Sequence, residues 1–253
     1  MKYLAIIQAR MSSSRLPGKV MQEINGIPSI KFQIDRLQKA KIDSIVVATS
    51  THESDDELVD YLTSLNVDVR RGSLDDVADR FLNVLHEYKP DNFLRLTADC
   101  PLVMPLLIDE MLDVFETVKT DYLSNTAPPT FPDGLDVEIV NTDAFTKLLS
   151  LGLTDFEREH VTLGFKSRSD QFSLRNFESS SDFSDFRWTI DYPEDLEHIR
   201  SLAKYLHGKE SVFTFQDILA IIESHPKLVN RIGSEFRNIA LKSFGEGSGE
   251  ADE

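Results

Sequence analysis

Apolar and polar positions follow two kinds of pattern in the first half of the chain. Short apolar runs, typical of buried parallel strands, occur at residues 3–8, 45–49, 67–69 and 93–96. Between these runs apolar residues recur at helical spacing, which predicts helices over about 28–40, 53–64 and 75–88. Strands that alternate with helices form βαβ units. The sequence therefore predicts an α/β fold, with a mostly parallel twisted sheet and helices on both faces.

The pattern becomes less regular after residue 121. Further strands are predicted at 121–124, 137–140, 171–177 and 187–190. Further helices are predicted at 156–166, from Pro193 onward and at 214–223. We expect one domain over residues 1–244, with a core in 1–125 and 185–210, a small late insertion at about 126–184 and a helical C-terminal part. The acidic, low-complexity residues 245–253 are predicted to be disordered.

Composition narrows the class of protein. The 253 residues include 27 Lys and Arg against 43 Asp and Glu, a net charge of −16, and nucleic-acid backbones repel so acidic a chain. Apolar runs stay shorter than the roughly 20 residues of a membrane span. The single cysteine, Cys100, excludes an internal disulfide and a cysteine-built zinc site, and we expect it to pack in the core. The composition predicts a cytoplasmic enzyme or small-molecule binder with no nucleic-acid or membrane partner.

One short stretch has the opposite charge. Before Glu23 the chain contains four basic residues and no acidic one, and Arg10, Arg15 and Lys19 lie in the loop after the first predicted strand. Ligands of open α/β sheets bind outside the carboxyl ends of the strands. The loop matches neither the P-loop nor the G-x-G-x-x-G pattern, but its serines and cations are suited to binding a polyphosphate. A salt-bridged surface loop is the alternative interpretation.

Four stretches of the sequence resemble signatures of the sugar cytidylyltransferases. They are Ile7–Lys19 with its R-x4-R-L-P-G-K pattern, Arg95–Leu102, Asp133–Glu138 together with Arg158–Val161, and Arg187–Asp195. This family includes the CMP-sialic-acid and CMP-Kdo synthetases, and the resemblance is greatest to the branch of spore-coat polysaccharide biosynthesis. It extends from residue 1 to about residue 200. It implies a nucleotide-diphospho-sugar-transferase-like fold and transfer of CMP from CTP to an acidic, nonulosonic or Kdo-like sugar, with release of pyrophosphate.

The resemblance assigns most of the basic loop to the nucleotide. The nucleotide-binding residues expected are Ala9, Arg10, Ser12, Ser13, Ser14, Arg15, Lys19, Arg71 and Thr97, all but Arg71 in the stretches that carry the resemblance. Lys19 is expected nearest the α-phosphate, and Arg71 is expected at the edge of the base unless it pairs with a nearby acid. Asp99 and Asp191 are expected to bind Mg²⁺, and with Arg15 and Lys19 they form the predicted catalytic set. Helix capping is the alternative role for both aspartates, and above all for Asp191.

The resemblance also implies an acceptor-sugar and dimerisation region at about 126–184. The substrate-binding residues expected there are Asp133, Gly134, Asp136, Glu138, Arg158 and His160. Arg158 is suited to a bidentate contact with a sugar carboxylate, or else belongs to a solvated helix face. His160 is a candidate general base or hydrogen-bond donor, against the alternative of a packed histidine. Part of the phenylalanine excess in the second half is interpreted as a homodimer interface.

Three other functions are compatible with the sequence. A glycosyltransferase of the same fold would use a nucleotide-sugar donor, but such enzymes usually have an Asp-x-Asp pair, whereas this chain has a single acid in Asp99-Cys100-Pro101. A guanylyl- or uridylyltransferase would differ in its base and would act on a sugar phosphate. A non-catalytic nucleotide-binding module would bind the nucleotide without forming a product.

Overall fold

The centre of the fold is a seven-stranded sheet. The computed structural model of the protein describes residues 1–231. Its strands are β1 (Tyr3–Gln8), β2 (Glu23–Ile24), β3 (Ile27–Pro28), β4 (Ser44–Ser50), β5 (Asp68–Gly72), β6 (Asn92–Thr97), β7 (Tyr122–Ser124), β8 (Glu138–Asn141) and β9 (Leu174–Asn176). The order across the large sheet is β5-β4-β1-β6-β8-β7-β9, and β2 pairs separately with β3. Only β8 is antiparallel to its neighbours in this sheet, so six of the seven strands point the same way.

Helices cover both faces of this sheet. They are α1 (Ser29–Leu37), α2 (Asp56–Ser64), α3 (Val77–Tyr88), α4 (Pro105–Val118), α5 (Thr142–Ser150), α6 (Asp155–Glu159), α7 (Leu163–Ser167), α8 (Pro193–Ala203) and α9 (Phe215–Ser224). Alternate residues of β1 belong to two cores: Ala5 and Ile7 pack with α1, α2, α4, α8 and α9, while Leu4 and Ile6 pack with α3, α5 and α7. A strand buried on both faces has the continuous apolar run that the sequence shows. The predicted α/β architecture is confirmed.

Residues 187–190 are extended but do not form the strand that the sequence predicts. Their backbone N–H groups donate to the carbonyl oxygens of Asn230, Asp133 and Asp99. Because these acceptors belong to three separate segments, the result is isolated bridges rather than a ladder. The prediction of a strand at 187–190, directly before Asp191, is wrong.

The single helix predicted over 156–166 is also wrong, because two short helices, α6 and α7, take its place. Between them the buried Val161 has φ 53°, a left-handed conformation that interrupts a helix. The next residue, Thr162, donates its hydroxyl to Glu138 at 2.7 Å. Packing and this hydrogen bond outweigh the helical spacing of the apolar residues.

Some predictions concern features beyond these elements. The predicted tail 245–253 lies outside the described residues, and the domain boundary at 244 stays a prediction. Within residues 1–231 no helix combines the length and apolar character that a membrane crossing requires. The cytoplasmic location and the homodimer stay predictions.

Candidate active site

Two loops meet where the order of the strands reverses. The chain runs outward from β1 through β4 to β5 and then crosses back to β6 on the other side of β1. Gln8 and Thr97, the last residues of β1 and β6, are partners in the register, so the loops after them begin side by side. Open α/β sheets bind ligands at such a point. The basic loop 9–19 and the turn that contains Asp99 therefore form one candidate site.

A buried carboxylate, that of Asp55, fixes the start of the basic loop. One of its oxygens accepts the backbone N–H of Met11 at 2.7 Å, and the other accepts the Thr49 hydroxyl at 2.9 Å. The loop closes where the N–H of Gly18 donates to the Met11 carbonyl at 2.9 Å. Gly18 has φ +67°, a left-handed conformation that glycine adopts without a Cβ penalty. This closed turn places Lys19, the next residue, next to Asp99 in the turn that follows β6.

The ammonium of Lys19 joins the two aspartates that the sequence singles out. Its Nζ lies 3.0 Å from Asp99 Oδ2 and 3.0 Å from Asp191 Oδ1, and it donates to the Ile190 carbonyl at 2.9 Å. Burial opposes the charge of Lys19, but the two carboxylates outweigh it and raise the pKa of the lysine. Burial also opposes ionisation of Asp99, yet the nearby Lys19 lowers the pKa of this carboxyl. Lys19 and Asp99 therefore stay charged together.

Arg15 reaches the same aspartate from the loop. Its Nη2 lies 3.6 Å from Asp191 Oδ1, and its Nη1 donates to the Tyr192 hydroxyl at 3.3 Å. The guanidinium also lies over the Tyr192 ring, 5.0 Å from the ring centre. The Arg15 side chain is 52% exposed, so a phosphate can reach it without displacing packed residues.

Two cavities open on either side of the Lys19 contact. The smaller, of about 200 Å³, is lined by β1 and the basic loop, including Ala9, Arg10, Ser13, Ser14, Arg15 and Lys19. The larger, of about 560 Å³, is lined by the predicted acceptor region, including Asp133, Asp136, Glu138 and His160. Four residues line both cavities: Arg15, Thr97, Asp99 and Asp191. The structure thus brings most of the predicted site residues together, in two groups with a shared boundary.

Glu138 lies in a buried network on the wall of the larger cavity. One of its oxygens pairs with Arg95 at 2.5 Å, and the other accepts the hydroxyls of Tyr122 at 2.5 Å and Thr162 at 2.7 Å. Burial opposes ionisation, but Arg95 and these hydrogen bonds lower the pKa of Glu138. Because three donors satisfy it, this carboxylate is a weak proton acceptor. It holds Arg95 on the wall of the larger cavity, and Arg95 Nη2 donates at 3.3 Å to Gln8, which lines the smaller cavity.

The structure places two predicted arginines away from both cavity linings. Arg71 donates to the carbonyl oxygen of Ser50 and pairs with Asp56 at 2.7 Å. Arg158 pairs with Asp76, the residue before α3, at 2.6 Å. Both guanidinium groups are thereby held against α2 and α3, so the structure does not bring them into the site.

Two further predicted residues, Ser12 and Gly134, line neither cavity. Ser12 is exposed in the basic loop. Gly134 has φ +105°, and a Cβ there would lie 2.5 Å from the backbone of Trp188 and Thr189. Glycine is therefore required for the loop between β7 and β8, here called the acceptor loop, to pack against the segment that leads to Asp191.

His160 lies half-buried on the wall of the larger cavity, at the end of α6. Its ring meets Phe156 edge to face, with 4.3 Å between the ring centres. Burial lowers the pKa of His160, and although Glu159 opposes this shift, Arg95 adds to it. The imidazole is therefore neutral near pH 7 and can accept a proton or a hydrogen bond.

Sequence reasoning missed several polar residues of the larger cavity. They include Arg95, Lys166, Arg187 and Asp195. Three of them lie inside the stretches that carry the family resemblance, so their positions were a signal, although their partners were not visible. Lys166 lies outside every such stretch, and nothing in its local sequence marks it.

The donor set of the site fits one divalent cation. Asp99 and Asp191 each place an oxygen 3.0 Å from the Lys19 ammonium, so a cation near this point would meet two carboxylates. Mg²⁺ is commonly held by one or two carboxylates, with phosphate oxygens and water as the other ligands. Within residues 1–231 no group of three or more His, Cys, Asp or Glu side chains could hold a metal. Phosphate oxygens of a bound nucleotide would thus complete the coordination.

Comparison with known proteins agrees with this geometry. The family model described as cytidylyltransferase matches residues 4–220. The chain is 32% identical over 231 residues to the spore coat polysaccharide biosynthesis protein SpsF of Bacillus subtilis, covering 88% of this chain and 95% of that protein. It is 36% identical over 254 residues to the 8-amino-3,8-dideoxy-manno-octulosonate cytidylyltransferase of Shewanella frigidimarina, covering 96% of this chain and 91% of that protein.

A solved structure extends the likeness to three dimensions. It is that of a cytidylyltransferase from Leptospira borgpetersenii, which is 31% identical, has a TM-score of 0.86, and covers 92% of this chain and 98% of that chain. The resemblance that the four sequence stretches indicate is therefore confirmed over most of the chain. The protein belongs to the cytidylyltransferase family.

Proposed function

We propose that the protein transfers CMP from CTP to a hydroxyl of an acidic, nonulosonic or Kdo-like sugar and releases pyrophosphate, in the synthesis of a surface polysaccharide or glycan. The observation that carries the proposal is the pair of cavities that share Arg15, Thr97, Asp99 and Asp191. Such a boundary is where a donor phosphate from one cavity and an acceptor hydroxyl from the other would meet. The names of the Bacillus and Shewanella relatives support a sugar acceptor. Family membership favours nucleotidyl transfer over glycosyl transfer or binding without catalysis.

The smaller cavity is suited to the triphosphate. Arg10, Arg15 and Lys19 line it together with the small residues Ala9, Ser13 and Ser14, which let a phosphate chain approach the backbone. Transfer of CMP needs the acceptor oxygen, the α-phosphorus and the pyrophosphate oxygen roughly in line, so positioning and charge neutralisation supply most of the catalysis. In this proposal Lys19 holds the α-phosphate, and Arg10 and Arg15 hold the departing pyrophosphate.

We propose Mg²⁺ as the cofactor, bound by Asp99 and Asp191 together with phosphate oxygens. Bound there, the ion would neutralise charge that develops on the phosphates. The two aspartates have Lys19 as their common partner. When a triphosphate enters, it offers the ammonium a further anionic partner, and Lys19 can then turn toward the phosphate.

The larger cavity is lined by many charged side chains, so an anionic acceptor would need a cation among them that is still unpaired. Seven carboxylates and five permanently charged cations line it, so its overall charge does not attract an anion. Most of these cations are already paired: Arg95 with Glu138, Arg187 with Asp133, and Arg231 with Asp185.

Lys166 differs from these cations. It is exposed at the cavity lining on α7, and its side chain makes no hydrogen bond or ion pair with any other residue of 1–231. We assign it the acceptor carboxylate, a role that the ion-paired Arg158 is poorly placed to perform. His160, neutral and half-buried on the same wall, is the proposed acceptor of the hydroxyl proton.

The test is a screen for pyrophosphate release. The four ribonucleoside triphosphates are each combined with Kdo, 8-amino-Kdo-type and nonulosonic sugars, with and without Mg²⁺, and products are identified by mass. The proposal expects product only with CTP, an acidic sugar and a divalent cation together. Pyrophosphate release that is indifferent to the sugar, or a product with a neutral sugar alone, would contradict it.

A further inference from the structure

One guanidinium, that of Arg187, holds three carboxylates on the wall of the larger cavity, and one of them, Asp191, also lines the smaller cavity. Its Nη1 lies 2.7 Å from Asp133, its Nη2 lies 3.0 Å from Asp191 Oδ2, and its Nε lies 2.8 Å from Asp195 Oδ1. Nη2 also donates to Asp195 Oδ2 at 2.9 Å, so the contact with Asp195 is bidentate. Arg187 is only 9% exposed. Burial opposes its charge, but Asp195, Asp133 and Asp191 outweigh burial and raise its pKa.

Arg187 divides the two oxygens of Asp191 between different partners. Oδ2 accepts from Arg187, while Oδ1 lies 3.0 Å from Lys19 and 3.6 Å from Arg15. A free aspartate side chain would rotate among several arrangements. With Oδ2 engaged, Oδ1 is directed to the point where Lys19 and Asp99 meet.

Asp195 fixes the backbone of the same residue. Its Oδ2 accepts the N–H of Asp191 at 2.9 Å and the N–H of Tyr192 at 3.0 Å, at the start of α8. Asp195 is 5% exposed, and Arg187 holds both of its oxygens. Backbone and side chain of Asp191 are therefore set by one connected pair, Arg187 and Asp195.

The third carboxylate links this pair to the acceptor loop. The N–H of Trp188 donates to the Asp133 carbonyl at 2.6 Å, and the N–H of Asp133 donates to the Phe186 carbonyl at 2.9 Å. Backbone hydrogen bonds to the residues before and after Arg187 thus attach the acceptor loop to this segment. One buried cation connects the wall of the acceptor cavity with the aspartate that borders the nucleotide cavity.

We infer that Arg187 is the positioning residue of the transfer site, which fixes Asp191 so that only Oδ1 faces the proposed cation and the α-phosphate. The inference rests on the proposed function, because it assumes that Asp191 contributes to a cation site. Arg187 acts through Asp191 and need not touch the nucleotide. Outer partners of a metal ligand commonly affect metal affinity by about 10- to 100-fold.

The test compares variants of Arg187 with a matched ion pair elsewhere. Arg187→Met removes the guanidinium. Arg187→Lys keeps the positive charge but not the bidentate geometry. Asp195→Asn weakens the contact with Arg187 with little change in side-chain shape. The control is Arg168→Met, because Arg168 donates to both oxygens of Glu157 at 2.6 and 3.2 Å and lines neither cavity. Mn²⁺ binding is measured by water proton relaxation with CTP and no acceptor, together with the melting temperature of each variant.

We expect Mn²⁺ affinity in the CTP complex to fall by about 10- to 100-fold in Arg187→Met, with Arg187→Lys and Asp195→Asn in between. Arg168→Met is expected to lower the melting temperature without changing Mn²⁺ affinity. Equal Mn²⁺ affinity in the wild type, Arg187→Lys and Asp195→Asn would overturn the inference alone, even if Arg187→Met did not fold. A wild-type protein that binds no Mn²⁺ with CTP would overturn the inference and the proposed cation site together.

Discussion

The two cavities use charge in opposite ways. On the nucleotide side, Arg10 is exposed and forms no hydrogen bond or ion pair with the other residues of 1–231. On the acceptor side, Arg187 is buried among three carboxylates and Arg95 pairs with Glu138. Desolvating a charge is costly unless a partner is already in place. The nucleotide side therefore keeps Arg10 available for the phosphates of a ligand, whereas on the acceptor side Arg95 and Arg187 are engaged by carboxylates that hold them in place.

Removal of Lys19 tests the boundary between the two sides and should have the largest effect. Lys19→Met takes away the ammonium that neutralises charge at the proposed reaction centre, so kcat for pyrophosphate release should fall by about 10²- to 10³-fold. The same change frees two carboxylates that lie 3.0 Å from the ammonium. The nucleotide-free variant should therefore bind Mn²⁺ more tightly than the wild type, as measured by water proton relaxation.

The control for Lys19 is Lys31→Met, which removes a partly exposed lysine paired with Asp35 within α1. It should change neither kcat nor Mn²⁺ binding. A Lys19→Met variant with near wild-type turnover would show that the shared boundary is not the reaction centre.

Arg10→Met tests whether the unpaired loop cation is reserved for a ligand. A charge-assisted hydrogen bond to phosphate contributes about 1.5–3 kcal/mol, so the KM for CTP should rise by roughly 10- to 100-fold with kcat little changed. Stability should hardly change, because Arg10 is exposed. The control is Arg70→Met, which removes an arginine of β5 that pairs with Glu87 of α3. If the KM for CTP rose equally in both variants, Arg10 would have no specific role.

The nucleotide side could be predicted from the sequence because its information is local. Apolar runs identify β1 and β6, and the chain direction places the loops after them at one edge of the sheet. Asp99 follows β6 by two residues, and Lys19 belongs to the basic loop that follows β1, so knowing the strands was enough to expect both residues at one edge of the sheet. In the structure Gln8 and Thr97, the last residues of the two strands, are partners in the register, so the two loops begin side by side.

The acceptor side could not be predicted in the same way, because its contacts join distant residues. With 43 acidic residues in the chain, nothing in the sequence indicates that Arg158 pairs with Asp76 or that Arg187 pairs with Asp133. Val161 illustrates the same difficulty for the backbone. A β-branched residue is disfavoured in the left-handed region, and only its tertiary packing explains φ 53°.

Lys166→Met tests a cation on the acceptor side that resembles the unpaired Arg10 of the nucleotide side. Because Lys166 is exposed, its ion pair with a sugar carboxylate should contribute at most about 1 kcal/mol, and the KM for an acidic acceptor should rise by roughly fivefold. The KM for CTP should not change. Lys204→Met, at another exposed lysine, is the control. An unchanged KM for the acceptor would remove Lys166 from the proposed site.

The smallest expected effect is on stability as a function of pH, and His160→Gln tests it. The folded protein lowers the pKa of His160, mainly through burial, below the value of 6.5 expected in the unfolded chain. The unfolded state then binds more protons, so the stabilisation from a neutral His160 is present above pH 6.5 and is lost as the pH falls through the lowered pKa. Melting temperatures measured between about pH 7.5 and about pH 5.5 should therefore fall less steeply in His160→Gln than in the wild type. His86→Gln, at an exposed position on α3, should keep the wild-type slope. Equal slopes in all three proteins would mean that the larger cavity does not favour the neutral form of His160. The reason for proposing His160 as the acceptor of the hydroxyl proton would then be lost.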